Sequence, residues 1–228
     1  MMADNMALMR ALAAIALLSA TATLWTADPS AHGFGSPERL ALRTAWSARL
    51  SAERFDVRLD TSKGPIVIAV HHGWAPHGAD RFHELVTSHY FDDSRFFRVV
   101  KGQWAQFGIA GDPAAATAWR SRTFPDDPRG QSNTRGRVAF AFAVPNGRTT
   151  QVYISLRDNS YQDEQGFVPF GEVVDGMDVA DALSTEYGEN AGGGIRGGKQ
   201  QPLFDGGNAY LDREFPRLDR LIKARVMP

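Results

Sequence analysis

The chain has 228 residues, 43% of them hydrophobic and 22% charged, with a formal net charge of -1. That is ordinary usage for a globular chain with a core, which excludes a disordered or fibrous protein, and its charge balance gives nucleic acid and anionic membrane no general attraction. Cysteine is absent, which removes disulfides, thiolate catalysis, cysteine-ligated zinc and iron–sulfur sites, and a lipid anchor on cysteine.

Residues 1–22 read as a secretory signal peptide. Arg10 precedes the short apolar run ALAAIALL at 11–18, and Ala20-Thr21-Ala22 satisfies the small-x-small cleavage rule. Asp4 weakens the positive start, and the alternative is an uncleaved N-terminal membrane anchor reaching Trp25. The apolar run falls short of the about 20 residues that span a bilayer, which favours cleavage. The expected localisation is export, to a periplasm or to the outside, with no stable membrane insertion after cleavage. Residues 23–54 follow as a Pro- and Gly-containing linker and a short helix opened by Ser36-Pro37-Glu38.

The folded domain spans 55–228. FDVRL at 55–59 alternates apolar and polar, IVIAV at 66–70 reads as a buried strand, and Thr61-Ser62-Lys63-Gly64-Pro65 between them is turn chemistry, so the pair is predicted to be an antiparallel hairpin. Phe82, Leu85 and Val86 have helical spacing and place a helix at 79–88. Further strands are predicted at 96–100, 104–109, 137–143, 151–155, 170–174 and 222–226. Ala180, Leu183 and Tyr187 mark a second short helix, closed by Gly188. Many short strands with two main helices point to a closed antiparallel β architecture. Residues 189–216 form a Gly-rich loop, longer than the about 12–15 residues usual for an unstructured connection.

Several motifs fail on inspection. His71, His72 and His77 crowd one region, but adjacent strand residues face opposite sides, so no metal site is expected. His83-Glu84 lacks the second histidine of a zinc-protease helix, because Thr87 stands there. Gly192 to Gly197 fits GxGxxG, yet no strand precedes it and no helical pattern follows, as a dinucleotide site requires. No GxSxG elbow occurs, and no cofactor is implied.

Two runs carry the chemistry: FFRVVKGQWAQFG at 96–108 and AFAVPNGRTTQVYIS at 141–155. Arg98 lies inside an apolar run, where desolvating a guanidinium is costly unless it is partnered. It is therefore a structural ion pair or a donor facing a ligand. Gln106 and Gln151 allow the same two readings, as buried amides satisfying the backbone or as groups aimed into a groove.

In order, these runs resemble the cyclophilin peptidyl-prolyl isomerases: the opening hairpin, the APHGADRF helix, FFRVV, QFGIAGD, FAFAVPNGRTTQVYI and GFVPFGEVVDGMDVADAL. The resemblance covers about 55–184. It implies an eight-stranded closed antiparallel β-barrel capped by two helices, a proline-binding groove, proline-containing polypeptide partners, and a monomer that needs no metal. Arg98 matches the family's catalytic arginine. Gln106, Ala141, Asn146 and Gln151 match groove positions. Gln103 and Trp104 stand where the family usually has phenylalanine and methionine, so Gln103 is expected to put polarity under the proline ring. Tyr153 replaces a phenylalanine, Tyr161 a tryptophan and Phe167 a histidine. The implied activity is X–Pro rotation in exported proteins, and the alternative is a noncatalytic chaperone or peptide-binding module on the same fold.

Overall fold

The computed structural model describes residues 54–228; the predicted signal peptide, and the linker and helix as far as residue 53, lie outside the described residues. Alternation sets the first pair. β1 (Arg54–Thr61) and β2 (Gly64–His71) run antiparallel with Leu59 opposite Ile66 and Phe55 opposite Val70. Val57, Leu59, Ile66, Ile68 and Val70 are all buried, as period-two patterning against a core requires. The Thr61 hydroxyl donates to the Gly64 carbonyl at 2.7 Å and closes the turn.

The remaining strands are β3 (Ser94–Arg95), β4 (Arg98–Val100), β5 (Trp104–Phe107), β6 (Arg137–Phe140), β7 (Val152–Ser155), β8 (Pro169–Asp175) and β9 (Arg220–Val226). All nine form one sheet in the order β3-β9-β1-β2-β8-β6-β7-β5-β4. The edge strands β3 and β4 are consecutive in the chain, separated only by Phe96 and Phe97. At about 3.3–3.6 Å per residue, that connection holds the two edges within roughly 11 Å, so the sheet must curl. The two ends of the strand order thus belong to one segment, 94–100, which pairs with β9 through β3 and with β5 through β4; the sheet is a curled antiparallel one of nine short strands, with no ladder between β3 and β4. Between them Phe96 and Phe97 are buried in the core, and the Phe96 amide donates to Asp219 O at 3.0 Å.

Four α-helices are described where two were predicted: α1 (Pro76–Thr87), α2 (Pro113–Arg120), α3 (Met177–Asp181) and α4 (Gln201–Glu214). α1 buries Phe82, Leu85 and Val86, and the Phe82 ring lies 4.9 Å from Phe170 and 5.7 Å from Phe91. α2 opens on Asp112, whose carboxylate accepts from the amides of Ala114 (3.1 Å) and Ala115 (3.3 Å), with Pro113 in the first turn. α3 ends at Asp181, so the predicted run to Tyr187 is not helical and Gly188 belongs to the following loop.

α4 occupies much of the predicted Gly-rich loop 189–216, which shrinks to 189–200. Gly206 and Gly207 hid it. Gly207 sits at φ 50°, ψ -142°, a kink inside the helix, and a Cβ there would stand 2.2 Å from Gly111 O. Only glycine tolerates that approach and conformation. Among the described residues no helix is long and apolar enough to cross a membrane.

Candidate active site

Strand alternation builds the site. Val99, Ala105, Phe107, Val138, Phe140, Val152 and Ile154 point into the main core. The residues between them face the other side. In register, Arg98 of β4 lies opposite Gln106 of β5, Gln106 opposite Tyr153 of β7, and Tyr153 opposite Ala139 of β6. One transverse row therefore carries a cation, an amide, a phenol and a small residue. Ala139, Ala141 and Tyr153 form a second, smaller apolar cluster, packed by Trp104, Phe167 and Ile195.

The Arg98 side chain is 16% exposed. Its Nη1 donates to Gln106 Oε1 at 3.1 Å, its Nε donates to Glu189 Oε1 at 3.0 Å, and Nη2 closes a short contact to that same oxygen. The guanidinium also lies 4.7 Å from the Trp104 ring centroid, in cation–π range. Gln106, 1% exposed, passes the polarity inward: its Nε2 donates to Gln151 Oε1 at 2.8 Å, and Gln151 Nε2 donates to Gln200 Oε1 at 2.7 Å. Gln200 Nε2 donates to Gly193 O at 3.2 Å. A buried amide is stable only when its donors and acceptors are satisfied, and this relay satisfies Gln106 and Gln151 while fixing where Arg98 points.

The apolar side is a cavity of about 210 Å³, lined by Arg98, Trp104, Gln106, Ala141, Phe142, Tyr153, Tyr161, Gln162, Gln165, Phe167, Gly194, Ile195 and Arg196. Sites for drug-sized ligands run to about 300–1,000 Å³, so this space suits a single ring or side chain. Phe167 packs 4.7 Å from Phe142 and edge-on to Tyr153 at 5.7 Å. The Tyr153 hydroxyl donates to Asn133 Oδ1 at 2.8 Å, with Gln162 Oε1 at 3.0 Å. Burial, first, holds its phenol well above the ordinary tyrosine range, so Tyr153 stays neutral and serves as a fixed wall. The indole N–H of Trp104 is buried with no hydrogen-bond partner among the described residues.

Seven of the predicted site residues thus converge: Arg98, Trp104, Gln106, Ala141, Tyr153, Tyr161 and Phe167. Three do not line this cavity. Gln103 lies in the turn before β5, where its backbone carbonyl accepts from Leu156 N and Asn159 Nδ2, each at 2.8 Å. Trp104 and not Gln103 lines the cavity. Asn146, at φ 55°, clamps a turn by accepting from the Asp126 amide at 2.9 Å while its own amide donates to Asp126 Oδ1 at 2.8 Å. Gln151 lines a neighbouring cavity and reaches Arg98 through Gln106. Phe142 escaped the sequence reading because β6 ends at Phe140, after which parity no longer applies. The histidines separate: His71 faces Glu172 at 3.2 Å and His72 faces Asp80 at 3.3 Å.

Comparison with known proteins bears on this geometry. The family model for cyclophilin type peptidyl-prolyl cis-trans isomerases matches residues 55–202. The chain is 31% identical over 141 residues to peptidyl-prolyl cis-trans isomerase A of Dickeya dadantii (strain 3937), covering 60% of this chain and 74% of that protein. It is 30% identical over 135 residues to peptidyl-prolyl cis-trans isomerase B of Escherichia coli (strain K12), covering 56% of this chain and 82% of that one. A crystal structure of a cyclophilin type peptidyl-prolyl cis-trans isomerase from Cryptosporidium parvum matches with a TM-score of 0.57 at 17% identity, over 77% of this chain and 99% of its own. The same protein, crystallised in the presence of the dipeptide Ala-Pro, matches with a TM-score of 0.55 at 18% identity, over 76% of this chain and 99% of its own. At those identities the structural likeness establishes the fold.

Proposed function

This chain belongs to the cyclophilin-type peptidyl-prolyl cis-trans isomerases, and from that premise we propose that it accelerates X–Pro rotation in exported proteins as they fold, with Arg98 as the catalytic donor. The observation that carries the reading is the Arg98 guanidinium, held by Gln106 and lining an apolar cavity of one-ring size. Amide resonance sets the uncatalysed barrier at about 18–20 kcal/mol. Twisting the bond localises the nitrogen lone pair, so a donor near that nitrogen binds the twisted state better than either planar one.

A hydrogen bond from a charged group contributes about 1.5–3 kcal/mol, equivalent to roughly tenfold to a hundredfold or slightly more in rate. Trp104, Ala141, Tyr153 and Phe167 supply the remainder by holding the ring while the peptide turns. Crystallisation of the Cryptosporidium parvum neighbour with Ala-Pro supports a proline dipeptide as the unit recognised. The apolar run at 11–18 and the small residues after it support export.

A single preparation tests both parts. Full-length chain expressed with an export route is expected to be recovered cut near Ala22, by intact mass, and the recovered protein is expected to accelerate a protease-coupled assay on a proline tetrapeptide. Recovery solely of uncut, membrane-bound chain would overturn export; a rate equal to the uncatalysed tens to hundreds of seconds would overturn catalysis.

A further inference from the structure

Residues 189–200 return to the site at several points. Glu189 accepts from Nε and Nη2 of Arg98. Gly194 lies flat on the same guanidinium, so close that a Cβ there would stand 3.3 Å from Arg98 Cζ and Nη1. Ile195 packs on the cluster of Ala139, Ala141 and Tyr153. The Arg196 guanidinium lies 5.1 Å from the Phe142 ring centroid and 5.3 Å from that of Phe167.

Position along the groove adds a second, independent observation. Beside the first cavity lies another of about 310 Å³, lined by residues that include Thr149, Gln151, Gln200 and Phe204. Of all the residues lining the two, Ile195 is common to both. A peptide extending from one cavity to the next must cross it. Gly193 (φ 63°) and Gly198 (φ 67°) flank Ile195 in left-handed turns, and Gln200 Nε2 donates to Gly193 O.

Every N–H-bearing nitrogen of Arg98 is already donating to this chain's own acceptors, and the apolar floor is touched by this chain's own isoleucine. We infer that residues 189–200 are an internal competitor for the groove, with Ile195 as the bar between the two cavities and Glu189 as the latch on Arg98, so that an extended proline peptide binds only by displacing them. This rests on the proposed proline-peptide site. It makes the segment a selector, favouring chains that bring enough contact on both sides of the proline to displace Ile195. The cost takes a simple form: if the segment is seated about nine-tenths of the time, the apparent Kd is weakened about tenfold.

The test uses the mature chain with the variants Ile195→Ser and Glu189→Gln, and the peptide Ala-Ala-Pro-Phe as probe. Its Kd is read by calorimetry, kcat and KM by the coupled assay, and folding by thermal unfolding. Each variant is expected to tighten Kd about fivefold or more, with KM falling in parallel. An unchanged or weaker Kd in both would show that the segment is a fixed wall and overturn the inference. Glu189 is exposed, so its variant carries the test should Ile195→Ser unfold. Tighter binding without turnover in any protein would fail the isomerase reading and keep the competitor; turnover in the parent with unchanged Kd in the variants would do the reverse.

Discussion

Replacing Arg98 with alanine is expected to lower kcat/KM on a proline tetrapeptide by roughly tenfold to a hundredfold, most of it in kcat. The charged donor contributes about 1.5–3 kcal/mol to the twisted state and little to planar substrate. The sequence left two readings of this residue, ion pair or ligand-facing donor, and the structure has Arg98 meet Glu189 while lining the cavity. The variant separates them. Glu189 is largely exposed and rehydrates when the cation goes, so the pair itself contributes little. Gln106 Oε1 loses its donor in the interior, which costs about 1–3 kcal/mol of stability. Circular dichroism should therefore report a folded chain with a modestly lower Tm. Loss of fold, or full activity in a folded variant, would reject Arg98 as the donor.

The largest expected effect on stability lies away from the site. Arg95 is 2% exposed, yet it is a full charge, held by Asp212 of α4 (Nη2 to Oδ1, 2.8 Å) and by Asp93 (Nη1 to Oδ1, 3.0 Å; to the carbonyl, 2.8 Å). The two carboxylates are half exposed or more, so the buried partner is the arginine. Removing a carboxylate strands its charge, whereas replacing the arginine by an apolar side chain of similar length removes the desolvation problem altogether. Asp212→Asn combined with Asp93→Asn is expected to cost about 3–5 kcal/mol, while Arg95→Met is expected to cost about 1 kcal/mol or less. Urea midpoints at unchanged m-value measure both. Equal losses in the two would mean that the ion pair and not the stranded charge sets the energy.

What the sequence made legible was alternation within short strands. Trp104 and Gln106 share a face because they lie two residues apart on β5, and register then sets Arg98 of β4 and Tyr153 of β7 beside Gln106. Legibility stopped where a strand stopped. The turn before Trp104 carried Gln103 away from the cavity, and the end of β6 concealed Phe142. α2 is announced by Asp112-Pro113, but it buries only Ala116, so no apolar stripe marks it. α4 is interrupted by the Gly207 kink, which erases its periodicity. The role of 189–200 had no local signature at all, because a run of glycines reads as loop wherever it lies, and only tertiary packing places Ile195 across the groove. The division of 94–100 into two short strands falls at Phe96 and Phe97, both buried, and apolar patterning does not mark it.

The central claim is that Arg98, set above this apolar row, speeds rotation about an X–Pro bond. Exchange NMR on Ala-Ala-Pro-Phe tests it most directly, because it reads cis/trans interconversion without a coupling protease. With the parent chain at a small fraction of the peptide concentration, exchange is expected to become much faster than the uncatalysed tens to hundreds of seconds, and to fall back by tenfold or more with Arg98→Ala, on the order of the donor's contribution. Exchange that the parent chain leaves at the uncatalysed rate, or that Arg98→Ala accelerates equally well, would contradict it.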